Sequence, residues 1–160
     1  MSKPRYTQKL STQTLKQGLE EYYKINPHIT DPATQPKEFG EILRAHDVGH
    51  VIFGCDTTMR DELKILPMFW WTSECTFKEY LKMKDSPAVD VMYKDMIAEK
   101  GELQLILTII RSLPLAIIEI IPIWLKTRKR GKRLPFLNYQ DLLEKRLDEI
   151  RNEYDLLNIV

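Results

Sequence analysis

Apolar residues recur every three or four positions in two stretches near the start of the chain, which is the spacing of amphipathic helices. The first predicted helix covers roughly residues 12 to 25 and ends at Asn26-Pro27. The second covers residues 37 to 53 and ends at Gly54, because glycine is favoured just past a helix. The connection between them is expected to be extended, since it contains three prolines within ten residues: Pro27, Pro32 and Pro36.

Capping residues predict further helices along the chain. Thr57 or Thr58 can cap a third helix, and Ser86-Pro87 is a typical start for a helix that ends at Gly101. A last amphipathic helix is expected to begin at Asn138. The sequence therefore predicts an all-α fold.

Length and composition fit one compact multi-helix domain. The 160 residues suit a single core, and 43% hydrophobic with 29% charged residues are ordinary values for a globular protein. We expect residues 1–36 to form an N-terminal helix with a proline-rich connection, and residues 37–160 to form the core. The net charge of +1 gives no overall field for nucleic acid. Cys55 and Cys75 match neither metal nor disulfide spacing, which favours a reducing compartment.

Residues 103–125 are unusually apolar, with sixteen apolar residues of twenty-three. This length approaches that of a membrane span. However, Arg111 and Glu119 would each cost about 2.5–3.5 kcal/mol at a bilayer centre. Pro114 and Pro122 would also leave backbone groups unbonded in lipid, so we do not expect a span.

The eight residues after this segment carry six positive charges. Such a density binds anionic lipid headgroups, so the two segments together predict a peripheral protein at the cytoplasmic face of a membrane. The alternative is a buried central helix followed by a solvated basic turn. The predicted membrane-surface residues are Lys126, Arg128, Lys129, Arg130, Lys132 and Arg133.

Four ligand-type side chains are expected to converge between the second and third helices. His46 and His50 are four residues apart, so both imidazoles leave one helix face, and Asp47 lies on its flank. His50 is one turn before Gly54 and Glu62 one turn after the next helix start, which brings them level in an antiparallel pair. This predicts a divalent cation site, with Zn²⁺, Mn²⁺, Fe²⁺ or Mg²⁺ all open. Taken singly, each residue is more often a surface or core group.

The segment from His46 to Glu62, HDVGHVIFGCDTTMRDE, follows the pattern H-D-x-x-H-x11-E and resembles the coenzyme Q biosynthesis protein 4 family. The C-terminal sequence LDEIRNEYDLLNI is also similar to the end of that family, so the resemblance covers roughly residues 38–158. The chain departs from the family at Asp61, where glycine is common, and in the segment FWWTSECTFKEY.

The resemblance implies an all-helical ubiquinone-biosynthesis protein that works with other proteins of the pathway. In eukaryotic relatives its place is the matrix side of the mitochondrial inner membrane. The implied chemistry is oxidative removal of the C1 ring carboxyl from a polyprenylated benzoate. By motif position, the metal-binding and catalytic residues, with Zn²⁺ favoured by the motif, are His46, Asp47, His50 and Glu62.

A prenyl tail requires a hydrophobic groove or tunnel. The residues expected to line it are Phe69, Trp70, Leu103, Leu107, Ile110, Leu113, Ile117 and Ile121, with plain core packing as the alternative for the aromatic residues. Three cations near the motif are expected either to meet an anionic head group or to be solvated: Arg44, Arg60 and Lys64. We also expect a homo-oligomer.

Three functions therefore remain open from the sequence. The first is a metal-dependent enzyme acting on a prenylated quinone precursor. The second is a noncatalytic isoprenoid-lipid binding or scaffold protein, and the third is a soluble zinc hydrolase.

Overall fold

The computed structural model describes residues 3–76, 101–127 and 131–160, together with Lys94, Ile97 and Ala98. Within these ranges the fold is all-α, as the sequence predicts, and the only β-type pairing consists of two isolated bridges. Most of the predicted helix at 86–101 lies outside the described residues. The five described helices are α1 (Leu15–Ile25), α2 (Lys37–Phe53), α3 (Met59–Thr72), α4 (Glu102–Thr127) and α5 (Leu147–Glu153).

The first helix begins slightly later than the periodicity suggests. Its cap is Thr14, whose hydroxyl accepts the Gln17 N–H at 3.2 Å while the Gln17 side chain accepts the Thr14 N–H at 3.0 Å. Ser11 and Gln13 lie outside the helix because their carbonyls accept backbone N–H groups from the start of α5. A long-range contact therefore sets this boundary.

The second and third helices follow the prediction closely. α2 has the predicted bounds, and Gly54 ends it in the left-handed region at φ 65°. Thr58 caps α3 by accepting the Asp61 N–H at 3.3 Å. Pro67 lies inside α3 without ending it.

The predicted C-terminal helix is wrong at its start. In place of a helix from Asn138, the structure has a 3₁₀ turn at Gln140–Leu142, and α5 begins only at Leu147. Arg146 between them is extended and pairs with Thr14. Bonding to the N-terminal segment thus replaces the helical hydrogen bonds that local propensity favours.

α4 packs along α3, which lies between α4 and α2. It is the one helix among the described residues long and apolar enough to cross a membrane, with a mean hydropathy of 2.0 over its most apolar 18 residues. Only 11% of that window is buried. The inner side carries Leu105, Ala116 and Ile123, all buried, while the opposite side is exposed.

A buried arginine ties α5 to the rest of the fold. Arg151 has no exposed surface, and it donates from Nε to the Ile52 carbonyl at 2.8 Å. Its terminal nitrogens donate to the carbonyls of Val51 at 2.9 Å, Tyr6 at 2.6 Å and Gln8 at 2.5 Å. Burial lowers the pKa of Arg151 to about 10, so the guanidinium still carries its charge at neutral pH. One side chain therefore joins the end of α2 to the N-terminal segment.

Replacing this side chain should destabilise the protein strongly. We expect Arg151→Met to lower the free energy of unfolding by about 3–5 kcal/mol, because it strips donors from several buried carbonyls. Arg151→Lys should recover only part of the loss, since an ammonium lacks the planar fork. Urea unfolding measures both, with exposed Arg111→Met as the control. A loss below about 1 kcal/mol for Arg151→Met would contradict this role.

Candidate metal centre

Three side chains from α2 and α3 bring ligand atoms together. The Nε2 atom of His46 lies 3.4 Å from Oε2 of Glu62, and Nε2 of His50 lies 3.2 Å from Oε1 of the same carboxylate. The ligand atoms of the three residues all lie within 4.8 Å of one another. Zn²⁺ ligands about 2.0–2.2 Å from the ion stand about 3.3–3.6 Å apart in a tetrahedron. The two nitrogen–oxygen distances of 3.4 Å and 3.2 Å, one to each oxygen of Glu62, are close to that spacing.

The donor set and its burial fit a divalent cation. His50 has no exposed surface, and neither of its ring nitrogens makes a hydrogen bond of ordinary geometry within the described residues. A buried polar atom without a partner is costly, and a metal bond would satisfy Nε2. Two imidazoles and one carboxylate suit Zn²⁺ or Fe²⁺ and leave coordination positions for a ligand from solution.

The same contacts shift the ionisation of the cluster. Burial by itself would raise the pKa of Glu62, but the imidazoles of His46 and His50 lower it to about 2. Burial would lower the pKa of His46, but the carboxylates of Asp47 and Glu62 raise it to about 9. The carboxylate is therefore ionised at neutral pH, as a metal ligand must be, and His46 would release a proton on binding a cation.

Asp47 lies beside this cluster and is held from its other side. Its Oδ2 accepts a hydrogen bond from the Tyr23 hydroxyl at 2.8 Å, and its Oδ1 lies 3.9 Å from Nδ1 of His46. At this distance the carboxylate makes an electrostatic contact with the His46 ring and not a hydrogen bond. A direct role for Asp47 as a fourth ligand stays a prediction.

Two aromatic residues of α1 support the cluster, and sequence reasoning did not assign them to it. The Tyr22 ring stacks on His50 with centroids 5.2 Å apart, and the neighbouring Tyr23 holds Asp47. In the sequence the two adjacent tyrosines belong only to the apolar side of the first predicted helix. Nothing in the local sequence of α1 indicates that it packs against the histidine face of α2.

Gly49 is a further residue that sequence reasoning missed. A Cβ on Gly49 would lie 2.1 Å from the Phe69 ring, so α2 and α3 approach as closely as they do only because this side chain is absent. Phe69 is buried in the core, edge-on to Phe53 and Phe136, which is the core role left open for it. The signal in the sequence is a glycine inside the predicted helix 37–53, directly before His50.

The three cations considered for head-group binding lie in different surroundings. Arg60 and Lys64 are two residues either side of Glu62, so they leave the opposite face of α3. Both pair with Glu119 of α4, through a bidentate contact from Arg60 and a 3.0 Å contact from Lys64. Arg44 is exposed on α2 and belongs to another part of the surface. Head-group binding by these residues stays a prediction.

Most of the residues expected to line a tail site lie on the outer side of α4. Five have exposed fractions between 43% and 72%, Leu107 is partly buried, and Trp70 is 42% exposed. These residues form an open apolar face, which we call the α4 face, and a closed tunnel stays a prediction. The five exposed residues are Leu103, Ile110, Leu113, Ile117 and Ile121.

The predicted basic surface is only partly described, because Arg128, Lys129 and Arg130 lie outside the described residues. Lys126 is exposed and donates to the Asn158 carbonyl at 2.8 Å. Lys132 pairs with Glu153, and Arg133 donates to the Ser73 carbonyl at 3.3 Å. Lys132 and Arg133 are exposed, like Lys126, at the C-terminal end of α4 or just beyond it.

Metal addition should stabilise the protein through these three ligands. At a Zn²⁺ concentration of 100 times the dissociation constant, the gain is about 2.7 kcal/mol, or roughly 5–10 °C in Tm for a chain of this size. We expect His50→Ala and Glu62→Gln to remove this shift. His28→Ala changes the one histidine outside the cluster, and this variant should keep the full stabilisation by Zn²⁺. An equal shift in Glu62→Gln and the parent would argue against the site.

Closing the gap at Gly49 should separate α2 from α3. We expect Gly49→Ala to cost about 1–3 kcal/mol and to weaken Zn²⁺ binding, because the added methyl group overlaps Phe69. Phe69→Leu in the Gly49→Ala background should restore part of the metal affinity. Gly131→Ala is the control, since nothing lies within 4 Å of a Cβ there. Unchanged metal affinity in Gly49→Ala would show that the approach of the helices is not limiting.

Comparisons with family models, with curated proteins and with solved structures find no match to this chain. The resemblance carried by the H-D-x-x-H-x11-E pattern therefore stays a prediction.

Proposed function

We propose that the protein binds a divalent metal through His46, His50 and Glu62 and presents it to a polyprenylated quinone precursor, or a related prenyl lipid, at a membrane surface. The observation that carries the proposal is the convergence of the two imidazoles and the carboxylate, with His50 fully buried and its Nε2 atom 3.2 Å from Glu62 but without a hydrogen bond of ordinary geometry among the described residues. The exposed α4 face supplies the apolar surface that such a lipid needs.

The chain's own residues have separate tasks in this proposal. His46, His50 and Glu62 hold the cation, while Asp47, held in place by Tyr23, adds a negative charge beside the His46 ring. Tyr22 covers His50 and keeps bulk water from that side of the cluster. A bound cation would supply Lewis-acid chemistry toward an oxygen of the head group. In the proposed reaction a hydroxyl group from water replaces the C1 ring carboxylate, carbon dioxide leaves, and dioxygen takes up the two electrons and becomes hydrogen peroxide.

α3 connects the metal cluster to the α4 face. One side of α3 carries Glu62, and the other side carries Arg60 and Lys64, which bind Glu119. The charged pairs fix α4 against the helix that provides a metal ligand. A lipid whose tail lies along the apolar part of α4 would therefore reach the cation only with a head group that passes around α3.

The membrane part of the proposal depends on the exposed surface of α4 and on the charges near its C-terminal end. A helix that is apolar on its outer side as well as its inner side is typical of contact with lipid or with another apolar partner. Trp124, which is 42% exposed, and Lys126 both stand in the last turn of α4, and aromatic and basic residues are the types expected at a headgroup boundary. Contact with another copy of the chain, or with other quinone-biosynthesis proteins, would cover the same face.

Noncatalytic lipid binding is the second candidate, because the α4 face is open and would hold a prenyl tail whether or not the metal reacts. The third candidate, a soluble zinc hydrolase, draws on the same two-histidine, one-carboxylate set. It leaves the α4 face without a role.

Variants of the cluster and of the α4 face should separate these candidates. With metal-loaded full chain and a prenylated 4-hydroxybenzoate in anionic vesicles, we expect Glu62→Gln to abolish carbon dioxide release under oxygen while lipid binding persists. Ile117→Gln should weaken vesicle flotation and lipid binding while metal binding is kept. Gln104→Ala, an exposed polar position on α4, is the matched control.

The outcomes differ between the candidates. Lipid binding without carbon dioxide release, even in the parent chain, would favour the noncatalytic protein. Hydrolysis of soluble esters together with an absence of vesicle binding would favour the hydrolase and overturn the proposal.

A further inference from the structure

A cleft of about 360 Å³ lies beside the N-terminal half of α2. Its walls are the Pro32–Gln35 connection, the first two turns of α2 and the Tyr139 ring. The connection is held tightly against the helix, because a Cβ on Gly40 would lie 2.4 Å from the Pro32 carbonyl oxygen. The Asp31 side chain accepts the Ala33 N–H at 2.8 Å and fixes the turn of the connection. The cleft is thus built by packed backbone.

Two cations, Lys37 and Arg44, line this cleft. Lys37 and Arg44 are seven residues apart, which places them on one side of α2, two turns from each other. Among the described residues, neither makes an ion pair or a hydrogen bond. Glu41 lies on the same wall, so the three side chains carry a net charge of one positive unit.

The cleft and the flank of the metal cluster are neighbouring parts of α2, because Arg44 is three residues before Asp47 on the same helix. Arg44 and Tyr139 both line the cleft. Burial raises the pKa of the Tyr139 hydroxyl and of the Tyr23 hydroxyl, and the positive charge of Arg44 opposes both rises. Tyr23 donates to Asp47, whose other oxygen faces His46. Asp47 is thereby occupied by Tyr23, and no ion pair joins it to Arg44 among the described residues.

We propose that this cleft, the Arg44 cleft, binds the oxyanion group of a ligand, a carboxylate or a phosphate, with the Arg44 guanidinium as the main contact. A guanidinium matches two oxygens of either group with a pair of parallel hydrogen bonds. Tyr139 offers a neutral hydroxyl at neutral pH, and Lys37 adds charge at the entrance. Arg60 and Lys64, by contrast, are already paired with Glu119.

The inference deepens the proposed function and rests on it only for the identity of the natural ligand. If the metal cluster and the Arg44 cleft serve one ligand, that ligand carries its oxyanion on the Asp47 side of the cation, on the opposite side of α3 from Glu119. This is a specificity requirement that a neutral prenyl alcohol would not meet.

Small anions test the cleft directly. The full chain is titrated with sodium phosphate and, separately, with sodium benzoate at constant ionic strength, once loaded with Zn²⁺ and once after chelation. We expect binding in both metal states, and we expect Arg44→Gln to weaken it on the order of tenfold or more. The anion affinity of Arg44→Lys should lie between those of the parent chain and Arg44→Gln, because lysine keeps the positive charge but lacks the paired N–H groups of the guanidinium. Arg111→Gln is the control for the loss of one exposed arginine.

Each outcome bears on the cleft. If only phosphate or only benzoate binds, and Arg44→Gln weakens that binding, the result supports the inference and identifies the oxyanion that the cleft prefers. Failure of the parent chain to bind either anion, or equal affinity in Arg44→Gln, overturns the inference. A third result is that anion binding disappears on chelation or in Glu62→Gln, while Arg44→Gln binds the anion as tightly as the parent chain. That result would assign the anion to the metal and would also overturn the inference. Arg44-dependent binding in a chain that takes up no Zn²⁺ keeps this inference and refutes the proposed function.

Discussion

The close approach of α2 and α3 is the constraint on which the candidate site depends. Glu62 is a short side chain on one helix, and it reaches two imidazoles on another only because Gly49 lets the Phe69 ring lie against the α2 backbone. The turn between the helices sets their register. Gly54 ends α2 in a left-handed conformation and Thr58 starts α3, so about one helical turn separates His50, and likewise Glu62, from the connection. Packing density and turn geometry together fix distances of a few ångströms.

This pair of helices is supported by parts of the chain that are distant in sequence. α1 places Tyr22 on His50 and Tyr23 on Asp47, and α5 places Arg151 at the last carbonyls of α2. Since Arg151 also binds the N-terminal segment, loosening either end of the chain would be felt at the C-terminal turn of α2, one turn from His50. The stability of the fold and the geometry of the cluster are therefore coupled through buried hydrogen bonds.

The sequence was informative where the determinants are local. The bounds of α2, its glycine stop and the Thr58 cap follow from periodicity and capping, and the cluster of His46, His50 and Glu62 follows from the turn between two predicted helices. It failed where tertiary bonding prevails over propensity. The segment at 138–146 has an amphipathic pattern, yet Arg146 is extended because Thr14 pairs with it. The roles of Tyr22, Tyr23 and Gly49 depend on which helices meet, which no local pattern encodes.

The apolar and charged groups of α4 divide the helix into a side that faces the protein and a side that faces outward. Leu105, Ala116 and Ile123 recur at spacings of eleven and seven residues and face the protein, and Leu103, Ile110 and Ile117 lie across the helix axis, facing outward. Glu119 pairs with α3, so its charge is turned away from the outer face. The outer face therefore lacks the Glu119 charge. Its apolar residues are not required for packing within the described part of the chain, and their exposure to water is unfavourable. If the outer face meets lipid, α3 stands between the bilayer and the histidines, so a ligand that joins membrane and metal has to pass around α3 rather than through the protein.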